Sequence, residues 1–171
     1  VIRVDLESLN LQLDQDAAAL EQAARPASQA AAEVFYREVR RNVLALGQKS
    51  GNLLSAIYQA YSARNSGTGL ATYHISWNPR KAQHGHLVEH GHIQRYVSYV
   101  GSDGNWYTAI RPEMRGKPRP ARRASQAVKD AYYVTLPTPK QISGAAFVRR
   151  ATSKCAQAEA AAAAEVMRAI E

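Results

Sequence analysis

Cysteine is almost missing from this chain. Cys155 is the only one, which excludes a disulfide framework within a single chain. It sits in an alanine-rich stretch as a small helix residue, and with only Lys154 as a cationic neighbour it is not expected to be a reactive thiolate. Aromatics are also scarce, at 8% of residues, and many of the apolar positions are alanines. Alanine buries little area, so helices packed on a sheet or on neighbouring subunits are favoured over a thick private core. No apolar run approaches the roughly 20 residues of a membrane helix, and no charged-then-apolar leader opens the chain. We therefore expect no membrane, and use in a cytoplasm or in a particle assembled there. The phosphate-binding glycine loop, the dinucleotide fingerprint and the nucleophile elbow are all missing.

What the chain has in excess is positive charge. Its 171 residues carry 22 bases and 14 acids, a formal net charge of +8. That balance suits a nearby polyanion and equally aids solubility. The length fits one domain, 1–171, with an elaborated loop.

Alternation over Val1–Leu6 reads as a short half-buried strand. Asp14 and Asp16 then suit the first turn of an alanine-rich helix, which Pro26 should interrupt or restart. Ala27, Ala31, Phe35, Val39, Val43 and Leu46 recur at helical spacing, while Glu33, Arg37, Glu38, Arg40 and Arg41 fall largely off that stripe. This predicts an amphipathic helix over about 27–46, capped by Gly47. After a turn at Ser50-Gly51-Asn52, Leu53–Tyr58 is a short helical or extended piece. Ala60–Ala63 and Leu70–Trp77 read as strands joined through Asn65–Gly69. Arg95–Val100 and Trp106–Ile110 flank Gly101-Ser102-Asp103-Gly104-Asn105 as a hairpin. Arg111–Arg123 is basic, punctuated by prolines, and reads as an extended or mobile loop. A further strand is expected at Val134–Leu136, before Pro137 and Pro139. A last helix over about Ala145–Ile170 has Phe147, Ala151, Cys155, Ala158, Ala162, Val166 and Ile170 on one stripe.

Four of the five histidines fall between His84 and His92. His86-Leu87-Val88-Glu89-His90 matches the pattern in which two histidines hold zinc and a glutamate activates water. That chemistry needs a helix, which puts the two imidazoles on one face. Gly85 and Gly91 bracket the motif, and no convincing third ligand is in sight. The expectation is a strand and turn, with His86, Val88 and His90 on one side and Leu87 and Glu89 on the other.

The order of these segments resembles that of the tail-completion or neck proteins of tailed bacteriophages, also called minor tail or head–tail joining proteins. The likeness rests on the long helix, on Ser50-Gly51-Asn52-Leu53-Leu54-Ser55-Ala56-Ile57, which has one extra residue before the isoleucine, and on His86–Gly91. It also rests on Ala146-Phe147-Val148-Arg149-Arg150-Ala151, where Ala146 and Arg150 replace the usual prolines. It covers roughly 1–92 and 141–171, leaving 93–140 as a long insertion with its hairpin and basic loop. The implied fold is α+β, with a long N-terminal and a C-terminal helix packed on a small, mostly antiparallel sheet. In physical terms, Ser50, Gly51, Asn52, Leu53 and Ile57 make the exit from the helix, Glu89 beside Gly91 accepts backbone or arginine hydrogen bonds, and His86 is scaffold. Phe147 anchors the last helix, and Arg149 reaches an acidic partner.

The implied function is structural, with no catalytic residue, cofactor or metal. The chain would form a closed cyclic ring of its own copies, a hexamer by preference or a dodecamer. The ring would join a portal-side connector or head-closure protein to a tail terminator or tail tube protein, in a virion assembled in the bacterial cytoplasm. Genomic double-stranded DNA would make only transient, non-specific contact. Arg111, Arg115, Lys117, Arg119, Arg122 and Arg123, with Tyr96, Tyr99 and Trp106, are the candidate contacts to a partner or to the DNA channel. An extended arm laid on another subunit is the preferred use of the loop. The other readings are a sequence-independent nucleic-acid-binding module and, remotely, a zinc hydrolase built on His86–His90.

Overall fold

One helix dominates the computed structural model, which describes residues 6–47 and 51–170, with 6–12 given by backbone alone. Helix α1 runs unbroken from Leu6 to Ala45. The strand expected over Val1–Leu6 lies outside the described residues apart from Leu6, which opens the helix. Asp14 and Asp16 therefore sit well inside α1. Pro26 neither breaks nor restarts it. Proline lacks the N–H that would bond the carbonyl of Gln22, but both residues lie on the exposed side of the helix, where a missing main-chain bond costs less than in the core. Gly47 ends the helix with φ of +79°, its N–H donating to the Leu44 carbonyl at 3.1 Å.

The architecture is α+β. The chain forms two compact units, Val1–Glu89 with Ala145–Glu171, and His90–Gly144. Residues 93–140, the expected insertion, lie inside the second.

In the first unit, Gly51 (φ +70°) turns the chain into α2, Asn52–Ala56, and directly into β1, Ile57–Tyr61. Strand β2, Tyr73–Trp77, pairs with β1 antiparallel, Ile57 opposite Trp77 and Tyr61 opposite Tyr73. The first strand thus begins earlier than expected and ends at Tyr61, the second is shorter, and Ala63–Asn65 is a 3-10 turn. Helix α1 packs on this ladder and along α5, Cys155–Ile170. Having two neighbours, α1 buries a wider arc than the sequence stripe implied. Val39 and Val43 are buried as expected, but so are Ala32, Glu38 and Asn42. Leu46, beyond the helix end, is exposed instead.

The core of this unit is Val39, Val43, Leu53, Ala56, Ile57, Ala82, Phe147 and Ala151, with Ile75, Trp77 and Val88 packed against it. Phe147 is fully buried, its ring edge-on to Trp77 with centroids 5.5 Å apart. Such a pair contributes about 0.5–1.5 kcal/mol beyond area burial. Between Phe147 and α5 lies a 3-10 segment, Arg149–Lys154, where one continuous helix was expected. Ala151 and Ala158 are buried as the sequence stripe implied, whereas Cys155, where the 3-10 turn passes into α5, and Ile170, at the end of α5, are exposed.

The second unit has two further antiparallel ladders. Strand β3, Gly91–Tyr96, pairs with β6, Thr135–Ser143. The predicted strand at Val134–Leu136 is therefore longer and runs through both prolines. Gln94 lies opposite Lys140 and Tyr96 opposite Thr135, so Pro137 and Pro139 sit in an irregularity where no ladder donor is needed. The hairpin forms as β4, Ser98–Val100, and β5, Trp106–Thr108, with Gly101 donating to the Asn105 carbonyl at 2.8 Å. Helix α4, Gln126–Tyr132, was not expected; Ser125 caps it by accepting from the Val128 N–H.

Candidate functional site

The histidine-rich segment is a short helix, α3, Gly85–His90, and not the expected strand. Local alternation misled because tertiary contacts set the conformation. Gly85 is buried against the Trp77 indole, where a Cβ would overlap the ring. Val88 joins the core, and Gly91, at φ +78°, ends the turn against the Ile142 carbonyl. As a helix the segment meets the zinc motif's first requirement, so the rest of the geometry has to be weighed. His86 and His90 face solvent, and the Nδ1 of His86 lies 2.9 Å from the Gln83 carbonyl. Glu89 turns the other way, with 4% of its surface exposed. Its Oε2 accepts from the Val148 N–H at 2.9 Å and its Oε1 from the Arg149 N–H at 3.2 Å. Both carboxylate oxygens are therefore engaged away from the imidazoles. Among the described residues no three His, Cys, Asp or Glu side chains gather as a metal site.

Those bonds give Glu89 a physical role. The first N–H groups of a helical segment have no partner within it, and Val148 has no side-chain oxygen to offer. The buried carboxylate caps the Arg149–Lys154 segment from across the unit, in the position where negative charge is favoured. Asn42 completes the joint by donating its Nδ2 to the Phe147 carbonyl at 3.0 Å. The main chain is tied as well, Ala145 N–H to Val88 O at 2.7 Å and Ala146 N–H to Glu89 O at 3.1 Å.

The three segments that carried the resemblance thus meet at one buried node. Leu53 and Ile57 pack there with Phe147, and Glu89 caps behind it. Asn52 and the Arg149 side chain are exposed. Ser50 lies outside the described residues. Gly91 belongs to the second unit. The sequence reading missed Asn42 and Ala82, since nothing in their local spacing singles them out, and it gave Trp77 and Gly85 no part in this node.

The two departures from the proline pattern also find a reason. Ala146 has φ of +50°, closed to proline, whose ring holds φ near about −65°. Arg150 donates its backbone N–H to the Ala146 carbonyl at 2.8 Å, a bond that proline lacks.

The second candidate surface is the basic loop of the His90–Gly144 unit. The extended or mobile loop of the sequence reading is instead folded back and fastened. After the 3-10 turn Pro112–Met114, the Tyr132 hydroxyl donates to the Lys117 carbonyl at 2.9 Å, and Lys129 Nζ donates to the Arg122 carbonyl at 2.9 Å. Arg111 is structural, its Nε donating to the carbonyls of Asp130 at 3.1 Å and Tyr133 at 3.2 Å. Arg115, Lys117, Arg119, Arg122 and Arg123 are exposed.

Two of this unit's three acids, Asp103 and Asp130, are engaged elsewhere. Asp130 accepts from the Tyr96 hydroxyl at 2.8 Å and from Gln126 at 2.7 Å. Burial first, then that bond to Asp130, pushes the Tyr96 phenol up. Tyr96 is therefore a strut and not a free contact. At the hairpin tip, Asp103 accepts from the Tyr107 hydroxyl and from the Asn105 side chain and backbone, which hold its carboxyl down at about 2. The same bond raises the Tyr107 phenol. Tyr99 and Trp106 remain 52% and 58% exposed on the hairpin.

Among the described residues no helix is long and apolar enough to cross a membrane. Set against family models, curated proteins and solved structures, the chain matches none of them.

Proposed function

We propose that the chain is a structural subunit of a tailed-bacteriophage neck, closing a ring of its own copies between the portal-side connector and the tail. The supporting observation is the convergence at Phe147. Three segments remote in sequence carry the resemblance, and together they build a packing joint in which the Glu89 carboxylate is spent on main-chain N–H groups. Residues used this way support the reading of a building block. Virion localisation, the flanking connector and tail proteins, and the hexameric or dodecameric count all come with this reading.

The exposed surface of α1 agrees with it. Leu13 and Leu20 are 56% and 48% exposed, yet they lie seven residues apart and seven before the buried Ala27, on one helix face. The face that forms the core further along is left open towards the start of the helix. A subunit with so few large buried side chains gains from covering that face in an assembly.

Native mass spectrometry and negative-stain microscopy of the purified chain test the reading. Closed rings of hexameric or dodecameric mass are expected. Leu13→Glu combined with Leu20→Glu is expected to weaken assembly at least about tenfold, from loss of buried apolar area, with unchanged circular dichroism. A chain that stays monomeric at high concentration and is missing from purified virions of the phage encoding it overturns the proposal.

A further inference from the structure

We propose that the His90–Gly144 unit binds the phosphate backbone of duplex DNA, without reading sequence, through a pre-set arginine surface formed by Arg115, Arg119, Arg122 and Arg123. The charge of the chain is concentrated there. Nine Lys and Arg residues face only three acids within this unit. Two of those acids, Asp103 and Asp130, are taken by neutral donors, namely Tyr107 with Asn105 and Tyr96 with Gln126. Among the described residues the ion pairs lie in the other unit, at Arg37–Glu33, Arg41–Glu38 and Arg168–Glu165. The loop guanidiniums are thus exposed and not neutralised from within.

The loop is also set in place before any ligand arrives. Its carbonyls at Lys117 and Arg122 accept from Tyr132 and Lys129, and Tyr132 is buried. Anchoring the main chain lowers the ordering cost of binding. Arginine, not lysine, holds four of the five exposed basic positions, and its planar fork matches phosphate oxygens. Duplex DNA fits better than an acidic protein because residues 115–123 include no large apolar side chain, only Gly116, Pro118, Pro120 and Ala121 between the bases. Protein interfaces concentrate their energy in buried apolar or aromatic anchors, whereas phosphate contacts need none. The seven-residue α4 begins with Gln126 paired to Asp130 and ends with the buried Tyr132, which does not suit a helix that reads bases.

The proposal rests on the neck reading only for the reason duplex DNA passes nearby; the affinity itself belongs to the isolated chain. Fluorescence anisotropy with two unrelated duplexes of about 25 base pairs, from about 50 to about 200 mM salt, measures it. Equal affinity for both duplexes is expected, falling roughly a hundredfold across that range, as about four neutralised phosphates require. Arg119→Gln and Arg122→Gln should each weaken binding and reduce the salt slope by about one. Arg37→Gln, on the other unit, should leave binding unchanged. No binding at the lowest salt, arginine variants that bind like the parent, or polyglutamate binding as tightly as the duplex would each overturn the proposal, the last in favour of an acidic protein partner. Duplex affinity without ring formation sinks the neck reading alone, and rings without duplex affinity sink this inference alone.

Discussion

Glu89 is the residue whose chemistry changes most between sequence and structure. Its place between two histidines suggests a catalytic base, but its oxygens cap backbone N–H groups of Val148 and Arg149. Hydrogen bonds to a buried charged group are worth more than neutral ones, and a lost partner leaves its donor unsatisfied. Glu89→Gln is expected to destabilise the fold by about 1–3 kcal/mol, read from urea unfolding. His86→Ala, at an exposed position, should stay within about 0.5 kcal/mol. The opposite ranking would mean that the node is misassigned. Glu89 as a backbone acceptor and Phe147 as an anchor were legible from residue type and the adjoining segments. Asn42 was not. An asparagine on a helix names no partner, and the Phe147 carbonyl it serves is 105 residues away.

At the scale of elements, the two long helices were legible in part, α1 from about residue 27 but not its run back through Pro26, and the short helices were not. Forty residues of α1 sum enough local preference to carry Pro26 along. Restoring the missing bond by Pro26→Ala is expected to raise stability by about 1–3 kcal/mol, seen as a higher thermal midpoint. The six residues of α3 have no such sum, and contacts with Trp77, Val148 and Arg149 decided their conformation. The hairpin tip is an element with its own pH window. The Asp103 carboxyl is depressed from 3.8 to about 2, so its contribution is present above the unfolded value and is lost as pH falls through about 2. The Tyr107 phenol is raised above 10.0, so its contribution is present below that value and is lost as pH rises through the folded one. The Asp103–Tyr107 bond should hold on the plateau between these limits. Tyr107 and Gly101 amide signals in NMR titrations should shift together at both edges in the parent, and Asp103→Asn should abolish the acid transition.

At the scale of the whole molecule, the chain leaves the first unit at Glu89 and returns at Ala145, where Ala145 N–H to Val88 O at 2.7 Å holds the two strands of chain side by side. Replacing His90–Gly144 by a short glycine linker should therefore leave the first unit folded, since joining close ends adds little loop-closure entropy. Circular dichroism and denaturant unfolding would show a single cooperative transition. A chain that fails to fold would mean that the first unit depends on the second. The excised protein should lose duplex affinity if the arginine surface lies where proposed.

Taken alone, the amino-acid sequence determined the helix leading from about residue 27 to the Gly47 stop, the hairpin around Gly101–Asn105 and the basic character of residues 111–123. Each of these depends on composition or on neighbours within a few residues, so periodicity and turn chemistry suffice to specify it. Only the tertiary structure decided that the histidine segment is helical, that Glu89 is a cap, that β6 carries both prolines and that the basic loop is fastened by Tyr132 and Lys129. Those outcomes come from burial and from hydrogen bonds between distant residues, and such partners leave no mark in local spacing.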